Sequence, residues 1–221
     1  MDQDLRKIIY SFFLPLALAA IMVLLHVLVE AGLIDKLDYA IHPQSLSGVI
    51  GIFTGAFFHG DWQHLLGNLS VFVIVGAVLR YFYRKVSLQV LFFGILTAGL
   101  GTWLFGRPYP PHLGASGLVN ALIFFLFFSG VFRKDRVALV LSLLVAFLYG
   151  GVVWGLLPIE EGISWEGHLS GAIGGILMAW IFRGVNPPPS PPKDDERIDY
   201  TGPFWNYKDL IPPPDGFQYP E

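Results

Sequence analysis

The stretch HGDWQHLLGNLSVFVIVGAVLRYFYRK, residues 59–85, decides the architecture. It opens on polar side chains (His59, Asp61, His64, Asn68), runs apolar over 65–82 and closes on Arg80, Arg84 and Lys85. A bilayer core takes about 20 apolar residues per helix, so 65–82 predicts a membrane span. Lys and Arg favour the cytoplasmic side of short loops, so the basic end is expected to be cytoplasmic and the polar end to lie at the other face. Ionisable groups within a span are costly, which makes the polar end a functional candidate.

Working outward, five further apolar stretches have span character: 8–29, 86–105, 114–132, 137–157 and 167–182. The first is too long for the apolar part of a signal peptide and is read as an uncleaved helix. Composition agrees, with 54% apolar and only 14% charged residues and a mean hydropathy of +0.58. A globular chain is about 25% charged, so a water-facing surface is excluded for most of this one. The expected fold is an all-α membrane protein, a bundle of six transmembrane helices. The net charge of −3 leaves no basic footprint for nucleic acid. The absence of cysteine removes disulfides, thiol nucleophiles and cysteine metal sites.

The remaining loops fit one orientation. Arg6 and Lys7 precede span one, Arg133, Lys134 and Arg136 lie between spans four and five, and Arg183 follows span six. The alternate loops hold little positive charge, notably Lys36 and Arg107. Both termini are therefore expected to be cytoplasmic, in a multi-pass protein of a bacterial inner membrane. Spans two, four and six then run in the same direction, and their N-terminal ends share the outer face. Three segments follow: 1–45 with the first helix and a short outer loop, 46–184 as the core, and 185–221 as a Pro-rich acidic tail. The tail holds 10 of the 16 prolines, with 3 basic and 7 acidic residues, and reads as extended and disordered.

Three polar clusters stand at those outer ends. Ser116 lies within Gly114-Ala115-Ser116-Gly117 at the start of span four. A helix N-terminus leaves N–H groups unpaired, so an oxyanion formed by attack of Ser116 on a carbonyl would find donors beside it. A serine hydroxyl needs a base, and an imidazole with a pKa near 6.5 suits. His168, Gly171 and Gly175 share a face of span six, three and four residues apart. That face can pack against Gly117 and bring His168 to Ser116. His64 and Asn68 share a face of span two and can donate to a developing oxyanion; interhelical hydrogen bonding is their alternative role. His59 reads as a turn-stabilising or water-lining group. His26, His42 and His112 read as structural or interfacial, and Glu166 points away from His168.

These motifs resemble the rhomboid intramembrane serine proteases: His59-x4-His64-x3-Asn68, Gly114-Ala115-Ser116-Gly117, and His168-x2-Gly171-x3-Gly175, in the family's order. The resemblance implies a rhomboid-like six-helix bundle with Ser116 as nucleophile and His168 as general base. It maps the oxyanion site to the Ser116 N–H and the His64 and Asn68 side chains. It implies a serine endopeptidase that cleaves membrane-anchored proteins in or near their transmembrane segments. Two positions depart from the pattern. The first outer loop lacks a Trp-Arg pair and is short, and Asn120 stands where an aromatic residue is common. One turn below Ser116, Asn120 is expected to hydrogen-bond to His168.

The alternative within this architecture is a catalytically inactive protein that binds membrane clients. A metalloenzyme is disfavoured, because no His-Glu-x-x-His helix occurs, and no metal or cofactor is expected. A transporter is disfavoured because repeated halves and midplane charges are missing. The partners expected are transmembrane protein substrates and the lipid bilayer.

Overall fold

The computed structural model describes residues 3–133, 139–140, 143–144, 147, 154–159 and 164–185. Among these the chain is helical, without a strand. The long helices are α1 (Gln3–Glu30), α3 (Trp62–Phe82), α4 (Ser87–Phe105), α5 (Ser116–Arg133) and α6 (Trp165–Ile181). Between α1 and α3 lie only short turns of helix, including α2 (Gly51–Thr54). Four of the long helices are apolar and long enough to cross a membrane. Most of the expected span 137–157, and all of the tail beyond Val185, fall outside the described residues.

Phe13, Phe105, Ile173 and Trp180 are exposed on the outside of the bundle, as suits a lipid-facing exterior. Inside, Phe72, Val75 and Leu79 of α3 meet Val90 of α4, Leu118, Leu122 and Phe125 of α5, and Met178 of α6. In lipid no hydrophobic force drives helices together, so small residues that permit close backbone approach carry the packing. The α5–α6 seam shows this. A Cβ on Gly175 would lie 2.3 Å from the carbonyl oxygen of Ala121, and one on Gly117 would lie 3.1 Å from the Gly167 carbonyl oxygen. On an adjoining face of α6, Gly174 abuts Thr97 of α4, where a Cβ would fall 2.1 Å from the threonine Oγ1.

The helix starts are set by identifiable groups. Asp61 caps α3, its carboxylate accepting from the His64 backbone N–H at 2.8 Å; side chains of this type satisfy donors that the first helical turn leaves open. That hydrogen bond holds the Asp61 carboxyl below its ordinary pKa. The turn into α4 is tied by Arg80 Nη1, which donates to Ser87 Oγ at 2.6 Å. Before α5 the chain passes through Gly114 at φ +119°, a conformation that suits glycine.

Candidate active site

The segment leading into α5 is held from several sides. Ile41 and His112 each donate a backbone N–H to the other's carbonyl, at 3.0 and 2.9 Å. The Gly114 N–H donates to the Gly55 carbonyl at 2.9 Å, and the Ala115 N–H donates to His59 Nε2 at 3.3 Å. His59 is thus neither at a water surface nor confined to its own turn: it is buried and braces the residue before Ser116. Burial pushes its pKa down to about 3, with the neighbouring His64 and His26 adding to the effect. A neutral ring with an Nε2 lone pair is what the Ala115 N–H requires. His112 Nε2 pairs with the Arg107 carbonyl at 2.9 Å and steadies the same segment.

Ser116 is the first residue of α5. Its Oγ lies 2.7 Å from His168 Nε2, and His168 Nδ1 lies 2.9 Å from the Gly155 carbonyl oxygen. A carbonyl only accepts, so Nδ1 carries the ring proton and Nε2 presents its lone pair to the serine hydroxyl. That is the tautomer of a base able to remove the Ser116 proton. The Gly155 carbonyl, a backbone atom, carries no signature in sequence.

His64 and Asn68 both turn toward this point. A Cβ on Gly114 would lie 2.7 Å from His64 Nε2 and 3.5 Å from Asn68 Nδ2. Asn68 Nδ2 is buried and has no hydrogen-bond partner among the described residues. Its donor capacity is unspent beside Ser116. Gly114 is therefore required twice, by its positive φ and by the imidazole seated on it.

Asn120 departs from expectation. Its Nδ2 donates to the Ser116 carbonyl at 2.9 Å, not to His168. The carbonyl one turn back along the same helix is within easy reach of a short amide, whereas the imidazole stands on another helix. Glu166 makes a contact the sequence reading did not foresee. Its Oε1 pairs with Arg107 Nε at 3.3 Å, tying the start of α6 to the α4–α5 connection.

These groups border a cavity of about 490 Å³ lined by Asp61, His64, Asn68, Arg107, Ser116 and His168 among others. A smaller recess of about 40 Å³ opens on the other side of Ser116, walled by Ile52, Ala98, Gly99, Leu118 and Gly167. Among the described residues no group of three or more His, Cys, Asp or Glu is placed to hold a metal ion.

The Rhomboid domain family matches residues 47–185, more than half of the chain. The chain belongs to the rhomboid family. A rhomboid protease, GlpG of Haemophilus influenzae, is 25% identical over 177 residues, 76% of this chain and 90% of that protein. Uncharacterized proteins of Mycobacterium tuberculosis and Mycobacterium bovis are 31% identical over 163 residues, 67% of this chain. The match spans 65% of those mycobacterial proteins. The match and the apolar helices together make this an integral membrane protein with a rhomboid-like helical bundle.

Proposed function

We propose that the chain is an intramembrane serine endopeptidase that cleaves membrane-anchored proteins in or near a transmembrane segment. The observation that carries the proposal is the 2.7 Å approach of Ser116 Oγ to His168 Nε2, with His168 Nδ1 engaged by a carbonyl. A packing role for Ser116 would not need an imidazole in that tautomer. The loop charges support both termini on the cytoplasmic side and the dyad toward the outer face.

In this reading His168 Nε2 takes the Ser116 proton as Oγ attacks the scissile carbonyl carbon. The resulting oxyanion is met by the Ser116 backbone N–H and by donors on His64 and Asn68. The imidazolium then gives its proton to the leaving amine, the C–N bond breaks and an acyl-enzyme remains. Water from the cavity over the dyad adds next, losing its proton to His168, and the acyl bond hydrolyses to a carboxylate and free Ser116. The small recess beside Ser116 suits a small side chain at the residue whose carbonyl is attacked. A helical substrate hides its carbonyls in hydrogen bonds, so local unwinding precedes attack.

The test is cleavage of a single-span substrate co-reconstituted with the protein. Ser116→Ala is expected to abolish cleavage, and cleavage at the parental rate by that variant would reject the proposal.

A further inference from the structure

At the end of the bundle remote from the dyad, α1 and α3 enclose a second cavity, of about 680 Å³. Its lining includes the cations Arg6 and Lys7 from the start of α1, Arg80 near the end of α3 and Arg84 from the turn that follows it, with Tyr10 and Tyr81. No carboxylate lines it; the nearest acid in sequence, Asp4, pairs with Lys7 at 3.2 Å. Arg80 is held in place by its hydrogen bonds to Ser87 Oγ and the Arg84 carbonyl. Its Nε is buried and has no hydrogen-bond partner among the described residues.

The same seam continues into an apolar cleft. A neighbouring cavity of about 270 Å³ shares Ser11 and Tyr81 with the first and is otherwise lined by Ile8, Phe12, Ile74, Ala77, Val78 and Phe82. Deeper along the seam, Gly76 seats against Pro15, where a Cβ would lie 3.0 Å from the proline ring. A cationic chamber at a helix end, opening into an apolar cleft that runs toward the bundle centre, matches a molecule with an anionic head and a hydrocarbon tail. Free phosphate would satisfy the first chamber and leave the second without purpose. Basic pockets between membrane helices on the cytoplasmic side take anionic lipid headgroups.

We infer that the α1–α3 seam is a binding site for one anionic glycerophospholipid, its phosphate among Arg6, Lys7, Arg80 and Arg84 and an acyl chain along Phe12, Ile74 and Val78. The site stands apart from Ser116 and does not depend on the proteolytic reading.

The test is native mass spectrometry of the detergent-purified full chain, titrated with palmitoyl-oleoyl phosphatidylglycerol or with the matching phosphatidylcholine. The parent is expected to retain phosphatidylglycerol in preference to phosphatidylcholine, and Ser116→Ala to do the same. The triple variant Arg6→Gln/Lys7→Gln/Arg84→Gln, confined to exposed side chains, is expected to bind phosphatidylglycerol on the order of a hundredfold more weakly, each cation near a membrane surface contributing roughly fivefold. Ile74→Trp, which fills the cleft from the lipid side, is expected to weaken retention without removing a charge; it serves as the test should the triple variant fail to fold. Equal retention of the two lipids, or parental retention by the variants, would overturn the inference. Displacement of the lipid by millimolar inorganic phosphate would overturn the assignment to lipid.

Discussion

Gly171 of α6 rests on the backbone of Gly117 in α5, so closely that a Cβ on Gly171 would lie 2.1 Å from the Gly117 carbonyl oxygen. This contact sits three residues beyond His168 and one beyond Ser116, so it fixes the register in which imidazole meets hydroxyl. The obstructing atom is backbone and cannot rotate aside. Gly171→Ala is expected to lower stability by about 1–3 kcal/mol through overpacking. It should also cost more activity than stability, because the helices must part where the dyad meets. Thermal denaturation in detergent and substrate cleavage below the melting point check the two effects separately.

Glu166 and Arg107 are unequal partners. The Glu166 side chain is 3% exposed and that of Arg107 is 46% exposed. Removing the arginine strands a buried carboxylate, whereas Glu166→Gln leaves the arginine its access to water. Arg107→Ala is therefore expected to destabilise by about 2–3 kcal/mol, below the 3–5 typical of a fully buried pair. Glu166→Gln should cost less, and the double variant should recover part of the Arg107→Ala loss. A double-mutant cycle by thermal or denaturant unfolding reads this directly; additive losses would contradict it.

His59 makes stability depend on pH. In the folded chain burial holds its pKa at about 3, against an ordinary 6.5. Below pH 6.5 the unfolded imidazole binds a proton that the folded one refuses. The contribution is therefore complete above pH 6.5 and is lost as pH falls toward 3. His64 and His26 reinforce the depression, and Asp61 opposes it. Asp61, whose carboxyl is also held low, loses its own contribution only below about pH 4. Between pH 6.5 and 4, His59→Gln is expected to flatten the decline in melting temperature relative to the parent. Parallel declines would contradict this.

Asn120→Ala removes the hydrogen bond to the Ser116 carbonyl, worth about 1 kcal/mol. It also removes Asn120 Oδ1, which is buried without a partner among the described residues. The two effects oppose each other, so stability should change by less than about 1 kcal/mol. The His168–Ser116 contact does not run through Asn120, so cleavage should persist. Loss of cleavage comparable to Ser116→Ala would contradict this arrangement.

Much of this organisation is legible in the sequence because membranes make its rules strict. Apolar length marks α1, α3, α4 and α5, and the glycines at 171, 174 and 175 announce a close-packed α6. His64 and Asn68 share a face by spacing alone. Gly114 and Gly117 around Ser116 mark a place where neighbours approach closely. What the sequence does not disclose is contact between distant segments. The Gly155 carbonyl that orients His168 is a backbone atom with no identity to read. His59 and Ala115 are 56 positions apart, and Arg107 and Glu166 are 59 apart; only the fold brings each pair together. Asn120 illustrates the converse, a side chain read as reaching across helices that takes a partner within its own.

The most direct measurement is labelling of the purified chain with a fluorophosphonate, followed by mass spectrometry of the modified peptide. A nucleophile activated by His168 predicts one adduct, on Ser116, with labelling slowed by about 10²–10⁴-fold in His168→Ala and absent in Ser116→Ala. An unmodified parent, or an adduct that forms as fast without His168, would contradict the dyad.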